Sequence, residues 1–211
     1  VFLTGSAGAG KTYTINQYLH YLRARDVSVA VTASTGIAAT HMNGMTIHSW
    51  AGIGIADSLS AQDIARIKKR PIVAERISRT QVLVIDEISM LHKKQFDMIN
   101  QVLQAVKENE LPFGGVQVSV AGDFFQLPPI GEPQETTREK FAFMAQAWLD
   151  ADFQICYLTE QHRQKASESQ KTAGEAQTGN VYHGLDLNAI LNQIRRQSFT
   201  EHIMPALQAT A

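Results

Sequence analysis

Five short runs of the chain are almost continuously apolar: residues 1–4, 27–32, 82–85, 116–121 and 153–158. Runs of this length without polar alternation predict strands covered on both faces. Between them, Ile15, Tyr18, Leu19 and Leu22 recur at helical spacing, as do Phe96, Ile99, Leu103 and Val106. Strand alternating with helix predicts an α/β fold, a parallel sheet with helices on both faces. Ligands of such sheets bind beyond the carboxyl ends of the strands. The pattern breaks over residues 164–184, which are polar and nearly free of aliphatic side chains, and which read as a loop or linker. Asp186 can then cap a last helix with Leu187, Ile190, Leu191 and Ile194 on one face.

The first apolar run leads into Gly5-Ser6-Ala7-Gly8-Ala9-Gly10-Lys11-Thr12, a complete G-x-x-x-x-G-K-[ST] loop between a strand and a helix. Gly5, Ala7, Gly8, Ala9 and Gly10 carry little or no side chain, so backbone N–H groups can surround phosphates. The helix that follows points its positive end at the same anion. Lys11 brings a point charge to the phosphates, and the Thr12 hydroxyl is placed for Mg²⁺. The fold class expected is therefore that of a P-loop NTPase, with a nucleoside triphosphate as ligand. A phosphate-loop strand ordinarily lies inside its sheet. The start at Val1 therefore leads us to expect missing upstream sequence.

Residues 82–85 end in Asp86-Glu87. Asp86 is placed to hold Mg²⁺ opposite Thr12. Glu87 is placed to orient and deprotonate the attacking water. Residues 118–121 lead into Gly122-Asp123-Phe124-Phe125-Gln126, where Gln126 is the candidate sensor of the γ-phosphate. Arg163 follows the last strand and is a candidate arginine finger, although an arginine there also reads as a surface ion-pair partner.

Composition narrows the rest. The net charge of −1 over 211 residues excludes a uniformly basic nucleic-acid binder, so any such site is local. No apolar run reaches membrane-spanning length, so no membrane partner is expected. Cys156 is the lone cysteine, reads as a core residue, and fits a reducing, intracellular compartment. The seven histidines show no metal-ligand spacing.

Six segments, residues 5–12, 32–39, 46–54, 85–91, 122–129 and 158–164, occur in this order, and together they resemble the Pif family of DNA helicases. These belong to the 5′-to-3′ branch of superfamily one and have RecD-like relatives. Residues 141–148 and 185–196 also fit the family's pattern. The resemblance implies a RecA-like motor domain over residues 1–163 that binds ATP with Mg²⁺ and single-stranded DNA. It implies that residues 185–211 begin a second RecA-like domain, incomplete here, beyond the 164–184 segment. It carries phosphate binding onto Gly8, Gly10, Lys11 and Thr12, Mg²⁺ and hydrolysis onto Asp86 and Glu87, γ-phosphate sensing onto Gln126 and the finger onto Arg163. It places the Thr35-Gly36 loop and the His48-Ser49 region against the DNA strand. Small polar groups there can approach phosphates without reading sequence. His48, Trp50 and Phe124 are possible stacking surfaces for bases, with core packing the favoured reading of Trp50 and Phe124. Genome maintenance is the implied setting: DNA repair, recombination and telomere maintenance. No oligomer is predicted. The reading from another class is a nucleotide-gated module that grips DNA or protein without turnover.

Overall fold

The computed structural model describes residues 1–159. The readings that fall on residues 160–211, namely Arg163, the 164–184 linker and the 185–211 helix, lie outside them. Six strands form one sheet in the order β3-β2-β4-β5-β1-β6. They are β1 (Phe2–Gly5), β2 (Val29–Ala33), β3 (Met45–Thr46), β4 (Val82–Asp86), β5 (Gln117–Gly122) and β6 (Ile155–Leu158). Every pairing is parallel. This is the parallel sheet that the continuous apolar runs predict, and five of its strands lie on those runs.

Alternate side chains of the strands feed two cores. Leu83, Ile85, Val118 and Val120 join the larger core. Val82, Val84 and Ala121 join the smaller one on the opposite face. Helix α1 (Lys11–Arg23) covers the smaller core with Ile15, Leu19 and Leu22. The larger core is covered by α3 (Ile47–Ala51), α4 (Ala61–Lys68), α5 (Pro71–Arg79), α6 (Lys93–Lys107) and α8 (Gln146–Asp150). Two short helices, α2 (Gly36–His41) and α7 (Thr137–Lys140), complete the set. The α6 stripe of Phe96, Ile99, Val102 and Leu103 is fully buried, so Phe96→Ala would cost roughly 3–5 kcal/mol. Among the described residues no helix is long and apolar enough to cross a membrane.

Two expectations are corrected and one alternative is resolved. Cys156 is exposed rather than buried. It lies on β6, the edge strand, and lines an open apolar groove of about 380 Å³ with Leu3, Ile15, Tyr18 and Leu158. Thr35 and Gly36 are not a loop: Thr35 is the N-cap of α2, its hydroxyl accepting from the Ala38 N–H at 3.3 Å, and Gly36 is the first helical residue. Trp50 is buried at 4% exposure, and Phe124 packs edge-on to Phe141, Phe143 and Trp148. Trp50 is closed off by core packing, and the Phe124 ring is engaged by other rings, which answers the stacking alternative in favour of packing.

Candidate phosphate-binding site

Register sets the site. Ala33 of β2 pairs with Asp86 of β4 and with Thr46 of β3. Gly122 of β5 pairs with Thr4 of β1. Because all strands run the same way, the segments after β3, β2, β4, β5 and β1 leave the same edge of the sheet. The sequence-predicted residues therefore fall into one row. His48 and Ser49 follow β3, Thr35 and Gly36 follow β2, and Asp86 and Glu87 end β4. Gln126 follows β5, and the glycine-rich loop follows β1.

The loop is held open at its start and closed at its base. The Ala9 N–H donates to the Ser6 carbonyl at 3.1 Å. Gly8 and Gly10 have φ of 81° and 90°, which side chains disfavour. A Cβ on Gly5 would meet the Leu158 carbonyl at 2.6 Å, so only glycine lets β6 pair this closely. No side chain caps α1, whose N-cap is Gly10. The positive end of the α1 dipole thus faces the loop without a capping side chain, which favours an anion there. The Lys11 ammonium donates across the loop to the Gly5 carbonyl at 2.9 Å and the Ser6 carbonyl at 3.2 Å.

The two acids at the end of β4 are held differently. Asp86 is 6% exposed, and its carboxylate accepts the Glu87 N–H at 2.8 Å. Burial pushes its pKa up, opposed by that hydrogen bond and by the Lys11 charge. Glu87 is left-handed, with φ 54° and ψ 43°. That conformation costs about 1–2 kcal/mol in a residue other than glycine. Two hydrogen bonds at about 1 kcal/mol each offset it: the one to Asp86, and the Ser34 hydroxyl donating to the Glu87 carbonyl at 2.7 Å. Burial first, then the Asp86 charge, raises the Glu87 pKa; Lys11 opposes and Asp123 adds to it. A raised carboxylate at a strand end is what a base working near neutral pH requires.

Asp123 and Ser34 are the residues that sequence reasoning missed. Asp123 is 4% exposed, accepts the Phe125 N–H at 3.1 Å and accepts the Gln126 side-chain amide at 3.1 Å. It therefore aims Gln126. The signal was present, since an aspartate after a strand commonly bonds the N–H two residues on. Gly122 lets the turn after β4 pack closely against the end of β5, because a Cβ there would meet Ile88 at 2.9 Å. Ser34 was legible only as one more small polar residue.

Thr12 and Asp86 offer a hydroxyl and a carboxylate, hard oxygen donors that suit Mg²⁺. Among the described residues no group of three His, Cys, Asp or Glu is placed to hold a metal ion alone. A cation between these two residues thus depends on phosphate and water oxygens, which is the usual way Mg²⁺ is held. Of the residues expected to face DNA, Gly36 and Ser49 are exposed and Thr35 and His48 half-exposed.

The PIF1-like helicase family model matches residues 1–195. The ATP-dependent DNA helicase Pif1 of Psychrobacter is 60% identical over 198 residues, which cover 94% of this chain and 28% of that protein. Bacteroides Pif1 bound to ssDNA aligns with a TM-score of 0.73 at 34% identity, over 96% of this chain and 44% of the other. Bacteroides Pif1 in complex with ADP-AlF4 aligns with a TM-score of 0.70 at 34% identity, over 95% and 43%. The chain spans between 19% and 28% of the length of the curated relatives it matches. The ordered motifs along one sheet edge, the sequence identity and the shared architecture agree: this chain belongs to the PIF1-like helicase family.

Proposed function

We propose that the chain is the first motor domain of an ATP-dependent 5′-to-3′ DNA helicase, acting on single-stranded DNA. The observation that carries this reading is the row of segments along the carboxyl edge of the sheet. The candidate nucleotide residues follow β1, β5 and β4, and the small polar groups after β2 and β3 continue the same edge.

ATP phosphates would accept from the loop N–H groups and the start of α1. Lys11 would leave the Gly5 and Ser6 carbonyls for the phosphate oxygens. Thr12 and Asp86 would hold Mg²⁺, which supplies neutralisation of phosphate charge. Glu87 would take the proton of the attacking water as its oxygen bonds the γ-phosphorus. The bond from that phosphorus to the bridging oxygen breaks, giving ADP and phosphate. Gln126, aimed by Asp123, would report whether the γ-phosphate is present, and Arg163 would supply a further cation to the developing charge. A second RecA-like domain closing on the nucleotide would convert hydrolysis into movement along the strand, and residues 185–211 would begin it. Repair, recombination and telomere maintenance are the roles such a motor would serve, in association with DNA.

The test is Lys11→Ala in the intact enzyme. ATP hydrolysis is expected to be abolished, and an unchanged rate would remove the assignment.

A further inference from the structure

The His48-Ser49 segment stands on a five-residue helix, α3, that is too short to hold itself. Its terminal carbonyls therefore need partners from elsewhere, and those of His48, Ser49 and Gly52 have them. The His48 carbonyl accepts the N–H groups of Ile53 at 3.1 Å and Gly54 at 3.4 Å. The Gly52 carbonyl accepts from the Arg70 guanidinium at 3.3 Å, where α5 begins. The Ser49 carbonyl accepts from the Arg76 guanidinium, midway along α5. The same guanidinium lies 3.5 Å from the Met45 sulfur on β3. Arg76 thus ties the strand before the segment to the helix that presents it.

Arg76 differs from its basic neighbours. Arg66 pairs with Asp63, Lys68 with Glu108 and Arg79 with Glu75, all at the surface. Among the described residues no carboxylate lies within ion-pairing distance of Arg76. Its Nε is buried with no hydrogen-bond partner. Burial lowers its pKa, yet arginine stays protonated, so the cation persists behind the segment. Arg76 is half-exposed, so its cation is only partly withdrawn from water, and among the described residues no carboxylate stands beside it. A strand phosphate at Ser49 would bring the missing negative charge to the solvent side of the same backbone.

We infer that Arg76 is a positioning residue for strand binding: it fixes the backbone at Ser49 and keeps a positive charge behind the DNA-facing surface. The inference rests on the reading that this surface takes single-stranded DNA. Arg76 touches no phosphate itself, so it acts through Ser49.

The experiment measures binding of a fluorescent oligo-dT to the intact enzyme over a salt series, with ADP affinity alongside. Arg76→Met keeps the packed stem and removes the charge and the donors; Arg76→Lys keeps the charge. Arg76→Met is expected to weaken oligo-dT binding roughly tenfold, the scale of one lost charge-assisted hydrogen bond. Arg76→Lys is expected to recover part of that loss, and ADP affinity is expected to hold in both. The slope of log K against log salt is expected to stay as in the native enzyme, because no phosphate contact is lost. A slope smaller by about one would show a direct phosphate contact and overturn the positioning role. Unchanged binding in Arg76→Met, with His48→Ala and Thr35→Ala weakened, would overturn the inference and leave the DNA reading intact. Unchanged binding in all three would overturn both.

Discussion

The buried carboxylate of Asp123 accepts the side-chain amide of Gln126 at 3.1 Å, and its carbonyl accepts the Gln126 N–H at 2.9 Å. The glutamine is thus fixed at two points before any nucleotide arrives. Asp123→Ala removes the side-chain anchor and keeps the loop's main-chain bond. It is expected to lower kcat by up to about 100-fold, as misplacement of a catalytic group does, with little change in ADP affinity. Steady-state ATP hydrolysis in the intact enzyme measures it, and an unchanged kcat would mean that Gln126 does not act where Asp123 aims it.

Glu87→Gln is expected to keep nucleotide binding and to lower hydrolysis by roughly 10²–10⁴-fold, the range for loss of a general base. Binding and turnover falling together would assign Glu87 to binding instead. The pH profile adds a sign. A base works only when ionised, and burial with Asp86 raises the Glu87 pKa, so the rate should fall off at a higher pH than an ordinary carboxylate would give. Asp123 contributes to that rise, so Asp123→Asn should move the acid limb of the profile to lower pH.

Asp86 is buried with its pKa raised, so its charge opposes folding. In the window between the ordinary carboxylate value and the raised one, the folded state binds more protons than the unfolded chain. Stability therefore falls as pH rises through that window. Asp86→Asn is expected to raise the thermal midpoint at neutral pH by roughly 2–4 °C, the shift of about 1 kcal/mol in a domain of this size. The same variant should lose hydrolysis. A lower midpoint would show that Asp86 is paired more fully than its burial indicates.

His92 caps α6 with one ring nitrogen, which accepts the Lys94 N–H at 3.1 Å, and bonds Glu135 with the other at 2.9 Å. This clasp ties the segment after Gln126 to the start of α6. The His92 bond, with the Glu132 N–H, holds the Glu135 pKa down from 4.5 to about 2. A depressed carboxylate stabilises above its unfolded value and loses that contribution as pH falls towards about 2. Glu135→Gln is expected to lower the thermal midpoint near pH 6, with the difference from the native chain shrinking as pH falls from 4.5 towards 2. A difference independent of pH would mean that packing, not the charge, carries the contact.

Apolar runs located β1, β2, β4, β5 and β6; β4 shows why, since it is buried on both faces and has no polar alternation, while β6 is as apolar in sequence but exposed at the edge. β3 was not legible: Met45–Thr46 is two residues long, is not part of an apolar run, and is a strand only because β2 lies beside it. The short helices α2 and α3 were missed for a related reason, since five or six residues carry no periodicity. Thr35 nevertheless had the residue type of an N-cap, a signal worth about 1 kcal/mol. Cys156 was misjudged because an apolar run does not say whether its strand is central or at an edge. The phosphate loop, Asp86, Glu87 and Gln126 were legible because their spacing is fixed by chemistry. Ser34 and Arg76 were not, because their roles are contacts across 53 and 27 positions of sequence that only the fold brings together, whereas the local turn signal of Asp123 was present and overlooked.

The central proposal is that this chain is the first motor domain of an ATP-driven motor that works on single-stranded DNA. Its most direct test is ATP hydrolysis with and without single-stranded DNA, on this chain alone and on the chain joined to its second motor domain. Strong stimulation by DNA only when both domains are present is the expected result. Absence of stimulation in the two-domain protein would contradict it, and would leave a nucleotide-gated binding module in its place.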